Sequence, residues 1–568
     1  MLRGLRVAAS RALLLGLPVM VNHGCGSQEG VFVAFRIVTA VDPHAPDRDP
    51  FDPSNSDTVR VRLEHRGLAV MPIGVASDDC VKPHCEEFPS SATSFGLGPF
   101  KGSLLGHSLR VEVFKDGELR ATGRSFPFDV NDGVATIAPH VLVIPEGLYA
   151  LPVGRQPLGA QVQGMIATQD GALIATAEGA LWRYQAHGAV TGAALLTEAL
   201  PADPALQGAT WTALVPQPRD DVRIREAYLL AVHPDPHSDA ALARAYDQDA
   251  RQVGPPVTLP ATHARGAALV ALPSGRSAVV VGGMPDQRSV GLAGPVAALA
   301  AAATVTRLEL HGQELTTQPL GRLRWPLSDA TGVGLWVDPE TVPGAEPVER
   351  VVLVGGYTGT RADILPGLPA SERMSPYLVS FDPSPHPGAR TDPREQPLQQ
   401  QWVNLTELQV PPDPHFRGLL APAVVSPSRA HVLVAGGQKR IDCFFSEGRY
   451  LDRRRQPCEK FASRLWLFEL GRDRLEERAT GIEPSTIEPA RAGAAVVKLD
   501  RDIVLVAGGF GLSGSSQTAE VVDLVGGWNP ATVAIPVEMS QPQGAILLDR
   551  TVLLADEQGI VVHADRRL

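Results

Sequence analysis

The chain has 568 residues, 44% of them hydrophobic, which is enough apolar content for large cores and excludes wholesale disorder. Gly (55) and Pro (50) together approach a fifth of all residues, above the roughly 12% of an average protein and below the low-complexity range. The net charge of −11 is spread along the chain without a basic block, which argues against a nucleic-acid partner.

The first 24 residues stand apart. Arg3, Arg6 and Arg11 precede an apolar stretch from Ala12 to Val21, and Cys25 follows among the small residues Gly24, Gly26 and Ser27. A charged start, a short apolar run and a small-residue processing site together form an export signal. The run is too short to span a bilayer, which needs about 20 apolar residues. The segment resembles a bacterial lipoprotein signal. That resemblance implies removal of residues 1–24, a membrane anchor through lipidated Cys25, and a place at the outer membrane, periplasmic or on the surface. Asn22 and His23 depart from the apolar and small residues usual there, and ordinary secretory cleavage nearby is the alternative.

Residues 30–145 read as strands separated by turns: Val31 to Val41, Thr58 to His65, Ser108 to Lys115, Glu118 to Phe128 and Val134 to Ile144. Asp116-Gly117 between two of them is a strong two-residue hairpin signal. Five or six antiparallel strands in this length suggest a small immunoglobulin-like β-sandwich without the Cys–Trp–Cys pattern of true immunoglobulin domains. Asp42, Asp47, Asp49, Asp52 and Asp57 cluster in a Pro-rich stretch. Carboxylates in number can bind calcium, but the spacing is not that of an EF-hand, and a solvated stretch is the plainer reading.

Beyond Cys25, four cysteines fall into two local pairs, Cys80 with Cys85 and Cys443 with Cys458. In an exported chain an even number suggests disulfides, and locality favours these two short loops. His84 beside Cys85 offers a zinc alternative, but the spacing matches no common zinc pattern and no second half-site follows.

From about residue 146 a repeat dominates. Val279 to Gly283, Val351 to Gly356, His431 to Gly437 and Ile503 to Gly509 are apolar, β-branched runs that each end in a Gly pair. Such a run suits a strand buried on both faces, and the Gly pair permits close backbone approach. Arg265, Arg417 and Arg491 each precede a pair at similar spacing and are expected to open a strand. A third strand follows each pair (Thr304 to His311, Pro376 to Pro383, Ser463 to Leu470, Ala519 to Gly526). A fourth comes after it, as in Trp402 to Pro411 and Trp528 to Pro536. Four strands per recurring unit make a propeller blade.

The pattern resembles the kelch repeat, whose units carry a Gly pair after the second strand and a Trp in the fourth. From Gly282 the steps to Gly355, Gly436 and Gly508 are 73, 81 and 72 residues, longer than the roughly 50 of kelch units, and the aromatic usual before the pair is missing. Degenerate units precede the clear ones, at Leu173 to Tyr184 and at Ala227 to Asp247. At the C-terminus Gly544 to Leu548, Thr551 to Asp556 and Gly559 to Ala564 give three strands, and Leu148 to Val153 is expected to supply the fourth. Residues 146–568 are thus expected to form an all-β, seven-bladed propeller closed by strands from both termini. Six blades with the first unit docked outside is the second choice.

Long insertions follow three Gly pairs: Met284 to Ala303, Tyr357 to Ser375 and Gln438 to Ala462. In a four-stranded meander they project from one face, where binding residues commonly sit. The third holds Phe444, Phe445, Arg449, Tyr450, Arg453, Arg454 and Arg455 between Cys443 and Cys458. Aromatics and Arg are enriched at binding hot spots, and a disulfide lowers the ordering cost. The plainer alternative is a bridge that only pins an exposed loop while the Phe pair packs on its own blade.

Catalytic signatures are lacking: there is no Gly-x-Ser-x-Gly elbow, no His-Glu-x-x-His and no sialidase-type Asp box. His311, His415, His431 and His563 are scattered on or beside expected strands, where a lone His is more often structural. No catalytic residue, metal site or cofactor is assigned. The sequence points to a binding or scaffold protein that engages a protein or glycan of the cell envelope. An envelope enzyme acting on carbohydrate with a site gathered from several blades, or a purely structural component, are the alternatives.

Overall fold

A computed structural model describes residues between 31 and 563. It leaves out 1–30, 40–48, 70–79, 151–157, 187–195, 216–226, 286–301, 339–346, 357–377, 385–406, 410–418, 479–485, 525–530, 564–568 and some shorter stretches. The signal segment, Cys25, Arg417, Trp402 and Trp528 therefore lie outside the described residues. Among those described the protein is built of β-strands, interrupted by the 3-10 turns Pro204–Leu206 and Ala261–His263.

The N-terminal residues form one sheet. Its strands run in the order Leu68–Ala69, Thr58–His65, Leu104–Lys115, Glu118–Ser125, His140–Pro145, Val31–Thr39, Phe95–Phe100, with Cys85–Pro89, Phe128–Asn131 and Val134–Ala135 attached at its side. Val31–Thr39 runs parallel to His140–Pro145 and antiparallel to Phe95–Phe100. The expected hairpin forms: Asp116 (φ 52°) and Gly117 (φ 78°) both take the left-handed conformation that suits the twist of the flanking strands. The run from Glu118 to Phe128 is broken at Phe126-Pro127, because Pro127 cannot donate to a ladder. Cys85–Pro89 and Phe95–Phe100 were not legible as strands. The first lacks β-branched residues, and the second (FGLGPF) carries Gly and Pro that read as a turn.

Besides the two-stranded ribbon of Phe444–Ser446 and Arg449–Leu451, seven larger sheets follow among the described residues. The first comprises Val162–Ala167, Gly171–Thr176, Leu181–Gln185 and Leu196–Leu200, and the second Thr210–Leu214, Tyr228–Pro234, Ala241–Tyr246 and Gln252–Leu259. The third comprises Ala268–Ala271, Ser277–Val281, Ala302–His311 and Glu314–Leu327, and the fourth Thr331–Val337, Val348–Val354, Val379–Phe381 and Glu407–Gln409. The fifth has Ala423–Ser428, His431–Ala435, Leu465–Leu470 and Leu475–Arg478. The sixth has Ala495–Asp500, Ile503–Ala507, Gly514–Asp523 and Ala531–Met539, extended by the short strands Arg491–Ala492 and Phe510–Gly511. In the seventh, Gln543–Ile546, Val552–Asp556 and Gly559–His563 take their fourth strand from the other end of the chain. Tyr149 pairs with His563 and Ala150 with Val562.

The innermost strands close a cycle. Each lies against the first strand of the next sheet, and Gln543–Ile546 of the seventh returns to Val162–Ala167 of the first. An apolar cluster fills each seam, and the second strands explain why they read as continuous β-branched runs. Val279 and Val281 face the seam with the fourth sheet, whereas Ala278 and Val280 face the seam with the second. Val432 and Val434 likewise turn to one neighbour, Leu433 and Ala435 to the other. A strand buried on both faces has no polar alternation to show. The arrangement is compatible with a β-propeller.

Gly pairs join one sheet to the next. Both members of each pair have positive φ: Gly282 and Gly283 (63° and 94°), Gly355 and Gly356 (72° and 85°), Gly436 and Gly437 (59° and 114°), Gly508 and Gly509 (64° and 101°). A methyl on Gly282, Gly355 or Gly436 would overlap the carbonyl of Leu327, Leu419 or Arg491, in the connection entering the following sheet. A methyl on the second glycine would instead meet the connection entering the pair's own sheet, as Gly283 meets the Thr262 carbonyl at 2.6 Å. The N–H of Gly283, Gly437 and Gly509 donates to Leu327, Arg491 and Met539 at 2.7, 2.8 and 2.9 Å.

The arginines expected to open strands sit slightly earlier than anticipated. Arg265 bridges to Met284 and Arg491 pairs with Gly511, ahead of the strands that begin at Ala268 and Ala495. Gly266 and Gly493, both with positive φ, turn the chain between them and those strands.

The N-terminal sheet docks where the ring closes. Along His140–Pro145, Val141 and Val143 enter the N-terminal core, while Leu142 and Ile144 join Phe126, Leu158, Met165, Tyr184 and Leu547 at the seam of the seventh and first sheets. Arg124 and Glu64 form a buried ion pair of 2.6 Å on that side. The neighbouring Asp549 is buried, and its carboxyl is pushed up to about 6 because burial outweighs the hydrogen bonds from Thr551.

Replacing Gly355 by Ala combines left-handed strain with backbone overlap and should lower stability by about 3 kcal/mol. The matching change at Gly312 (φ 63°, nothing within 4 Å of an added methyl) should cost only about 1 kcal/mol. Urea unfolding of the two variants checks the difference.

Candidate functional site

In sequence, a long insertion follows each of the Gly pairs Gly282-Gly283, Gly355-Gly356 and Gly436-Gly437. Those at 286–301 and 357–377 lie outside the described residues, whereas much of the loop after Gly436-Gly437 is described. Its base is a backbone stalk. Gln438 bridges to both Leu420 and Phe461, Lys439 N–H donates to Lys460 O at 2.8 Å, and Ala462 N–H returns to Gly437 O at 2.8 Å. Lys439 Nζ holds Glu459 at 2.7 Å, and this bond and charge keep the Glu459 carboxyl below its ordinary range.

Above the stalk both expected disulfides are present in the protein: Cys443–Cys458 here, and Cys80–Cys85 in the N-terminal unit. The latter engages both thiols that the zinc alternative would have needed. Within the loop, Phe444–Ser446 pairs with Arg449–Leu451, placing Phe445 opposite Tyr450 in the register. A second turn follows, where Leu451 bridges to Pro457, Asp452 N–H donates to Gln456 O, and Asp452 Oδ1 accepts from Gln456 N–H at 2.9 Å. Arg455 is exposed in that turn with φ 59°, while Arg453 and Arg454 lie outside the described residues. Cys443 and Leu451 are buried.

The structure joins this loop to an element that the sequence did not flag. In the sixth sheet, Phe510–Gly511 turns back onto Gly514–Asp523, and Leu512 stands at the tip, 53% exposed. Phe461, returning from the disulfide-closed loop, meets Phe510 edge-to-face with ring centroids 5.7 Å apart. Lys460 Nζ lies 5.9 Å from the centre of the Phe461 ring. The usable signal was Phe510 directly after its Gly pair, followed by Gly511 and Gly514, a pattern that marks a tight hairpin.

Beneath the Gly pairs, the space between the connection and the third strand is filled differently in three sheets. Gly282, Gly436 and Gly508 each donate to the third strand, at Thr304, Arg464 and Thr518, which aligns Thr306, Trp466 and Glu520 two residues on. In the third sheet, buried His263 spans Gly282 O (2.8 Å) and Thr306 Oγ1 (3.0 Å), and burial pushes its imidazole down to about 4. In the fifth, Leu419 and Trp466 share one apolar cluster. In the sixth, fully buried Arg491 pairs with Glu520 at 2.7 Å and also reaches Pro489 O and Thr518 Oγ1. Burial pushes the Glu520 carboxyl up, against the opposing pull of Arg491.

The other flagged residues serve structure locally. Asp49, Asp52 and Asp57 accept bonds from Phe51, Ser54 and Asp116 backbone N–H groups. Asp42 and Asp47 lie outside the described residues, and among those described no three His, Cys, Asp or Glu are arranged to hold a metal ion. His431 Nδ1 bonds Ser428 Oγ at 2.6 Å, His563 is buried, His311 lies at the surface beside Glu309, and His415 is not among the described residues.

No known family model matches the chain, and no curated protein matches it. Among solved structures it is similar to YjhT at 12% identity, over 72% of this chain and 99% of that one, with a TM-score of 0.35. It is also similar to the computationally designed Ika8 protein at 11% identity, over 73% and 99%, with a TM-score of 0.37.

Truncating Glu520 to Ala strands a buried guanidinium and should cost about 3–5 kcal/mol. Changing Arg491 and Glu520 together to Leu should recover more than half of that loss, because the fifth sheet fills the same place with apolar side chains. Chemical denaturation of the three proteins tests this. His263 is neutral in the folded protein down to about pH 4, whereas an unfolded His takes its proton near 6.5. Its contribution is therefore whole above pH 7 and is lost as pH falls from 6.5 towards 4, by about 3 kcal/mol. Unfolding free energies of His263→Gln, measured over that window, should fall less steeply than those of the natural chain.

Proposed function

We propose that the chain is an exported, lipid-anchored binding or scaffold protein. In this reading Cys25 carries the anchor, residues 30–145 form an immunoglobulin-like sandwich and residues 146–568 a seven-bladed propeller of kelch-like units. The rim bearing the Gly pairs engages a protein or glycan of the cell envelope. The cycle of seven sheets and the pairing of Tyr149–Ala150 with Gly559–His563 support the blade count. Two disulfides suit an oxidising compartment. Among the described residues no helix is long and apolar enough to cross a membrane.

The observation that carries the binding reading is the contact of Phe461 with Phe510. It ties a disulfide-closed loop to a hairpin in the next sheet that presents exposed Leu512. Such a wall is held before any partner arrives, which keeps the ordering cost of association low. Exposed apolar and Arg side chains on a rigid base are the residue types that dominate binding energy.

The loop can be removed cleanly, because Lys439 and Lys460 are already paired through their backbones. Replacing residues 440–459 by Gly-Asn-Gly deletes both Cys443 and Cys458 and leaves no orphan thiol. In crosslinking against purified envelope fractions, this variant and Leu512→Asp should each lose a partner that the natural chain captures, with an unchanged melting temperature. An identical set of partners for all three proteins would rule out this rim as the binding surface.

A further inference from the structure

Three histidines meet at one end of the N-terminal sheet. His65, at the end of Thr58–His65, stands opposite His107 in the register, with ring centroids 4.7 Å apart and planes tilted by 42°. His84, in the turn closed by Cys80–Cys85, lies beside Leu63 through the 2.8 Å bond from Leu63 N–H to His84 O, and its ring meets Phe100 at 5.6 Å. His65 and His107 continue the inward-facing rows Val59, Val61, Leu63 and Val113, Val111, Leu109, so these rings close the end of an apolar core. The Nδ1 atoms of all three are buried and have no hydrogen-bond partner.

A neutral imidazole tolerates this, since a bare acceptor nitrogen packs much as an aromatic carbon does. A protonated one does not. His84 would then bury an N–H donor without an acceptor, and a positive His107 would be pressed against the His65 ring at close range. The surroundings offer little to offset that charge. On Leu104–Lys115 the Leu105 carbonyl bonds His107. On Phe128–Asn131, Asp129 attracts it, but Asp129 Oδ1 already accepts from Gly106 N–H at 2.7 Å. Phe95–Phe100 contributes Phe100, and the turn carrying His84 contributes the Lys82–Glu86 pair. Glu64 and Arg110 alternate to the other face of their strands and are engaged with Arg124 and Glu112. Burial, with His65 and His84 nearby, lowers the affinity of His107 for a proton.

We propose that His65, His84 and His107 form an acid-released latch. With His84 and His107 neutral, the three rings seal the end of the N-terminal core; protonation of His84 and His107 parts the start of Leu104–Lys115 from the end of Thr58–His65. Opening there uncovers Phe100 and Leu104 next to Leu105, which is already 54% exposed. The N-terminal unit would thus offer a new apolar surface in a mildly acidic compartment, while the ring of seven sheets stays folded.

Hydrogen exchange of the full chain, corrected for the intrinsic effect of pH, tests the latch. Between pH 7.5 and 5.5, amides in 61–65 and 104–109 should lose about tenfold more protection than those of Ile503–Ala507, which follow only the fall in ring stability that His263 causes. The double variant His65→Gln with His107→Gln should flatten that local response. If protection at 61–65 and 104–109 holds down to pH 5 in the natural chain, the latch does not exist, whether or not the variant folds. An equal loss in the natural chain and a folded variant would place the titrating group elsewhere and likewise overturn it.

Discussion

Backbone meets backbone where the third, fourth and fifth sheets each pass to the next. At Gly282, Gly355 and Gly436 there is no room for a single methyl group, because the carbonyl of Leu327, Leu419 or Arg491 occupies its place. The second glycine of each pair faces the connection entering its own sheet. Two adjacent residues are thereby enclosed from both sides and held at positive φ, which only glycine adopts freely. The spacing between sheets follows from this approach, and the apolar clusters in the seams are filled to match it. The described insertion after Gly436-Gly437 springs from such a point, so what it carries is mounted on tightly enclosed backbone.

What was legible in the sequence follows from that constraint. Val351 to Gly356 and Ile503 to Gly509 announce themselves because a strand buried on both faces must be apolar throughout and must end in glycine. The closing strand near Tyr149 was legible by counting, since three terminal strands leave an edge to be filled. Cys85–Pro89 and Phe95–Phe100 escaped because tertiary pairing overrides their weak propensity. In the candidate site, the disulfide and the aromatic-rich loop were visible, but the role of Phe510 was not. Its partner Phe461 lies 49 residues away in sequence and in a different sheet, and no local pattern encodes such a contact. The three histidines of the N-terminal end escaped for the same reason.

The seams also show how loosely chemistry is tied to architecture. One place beneath the rim is filled by a His–Thr bond, by Leu with Trp, and by an Arg–Glu pair. An ion pair removed from water gains little over an apolar pair of similar volume, so evolution can exchange them without altering the sheets around them. Losing one member alone is another matter, because the survivor keeps its charge and loses its counterpart. The Glu64–Arg124 pair and Asp549 raise the same issue at the junction with the N-terminal sheet.

The joining of Tyr149–Ala150 to Gly559–His563 has a consequence in time. More than 400 residues separate the two partners, so the ring cannot close until almost the whole chain has emerged. The N-terminal sheet needs only residues up to Pro145 for its strands, and it can fold while the rest is still being synthesised. Until the last strand arrives, the seam cluster around Phe126, Leu142 and Leu547 is incomplete, and the early-folded unit carries part of an unsealed apolar surface. The molecule is therefore most vulnerable to aggregation just before Gly559–His563 becomes available, when six sheets of the ring have formed and the seventh is incomplete.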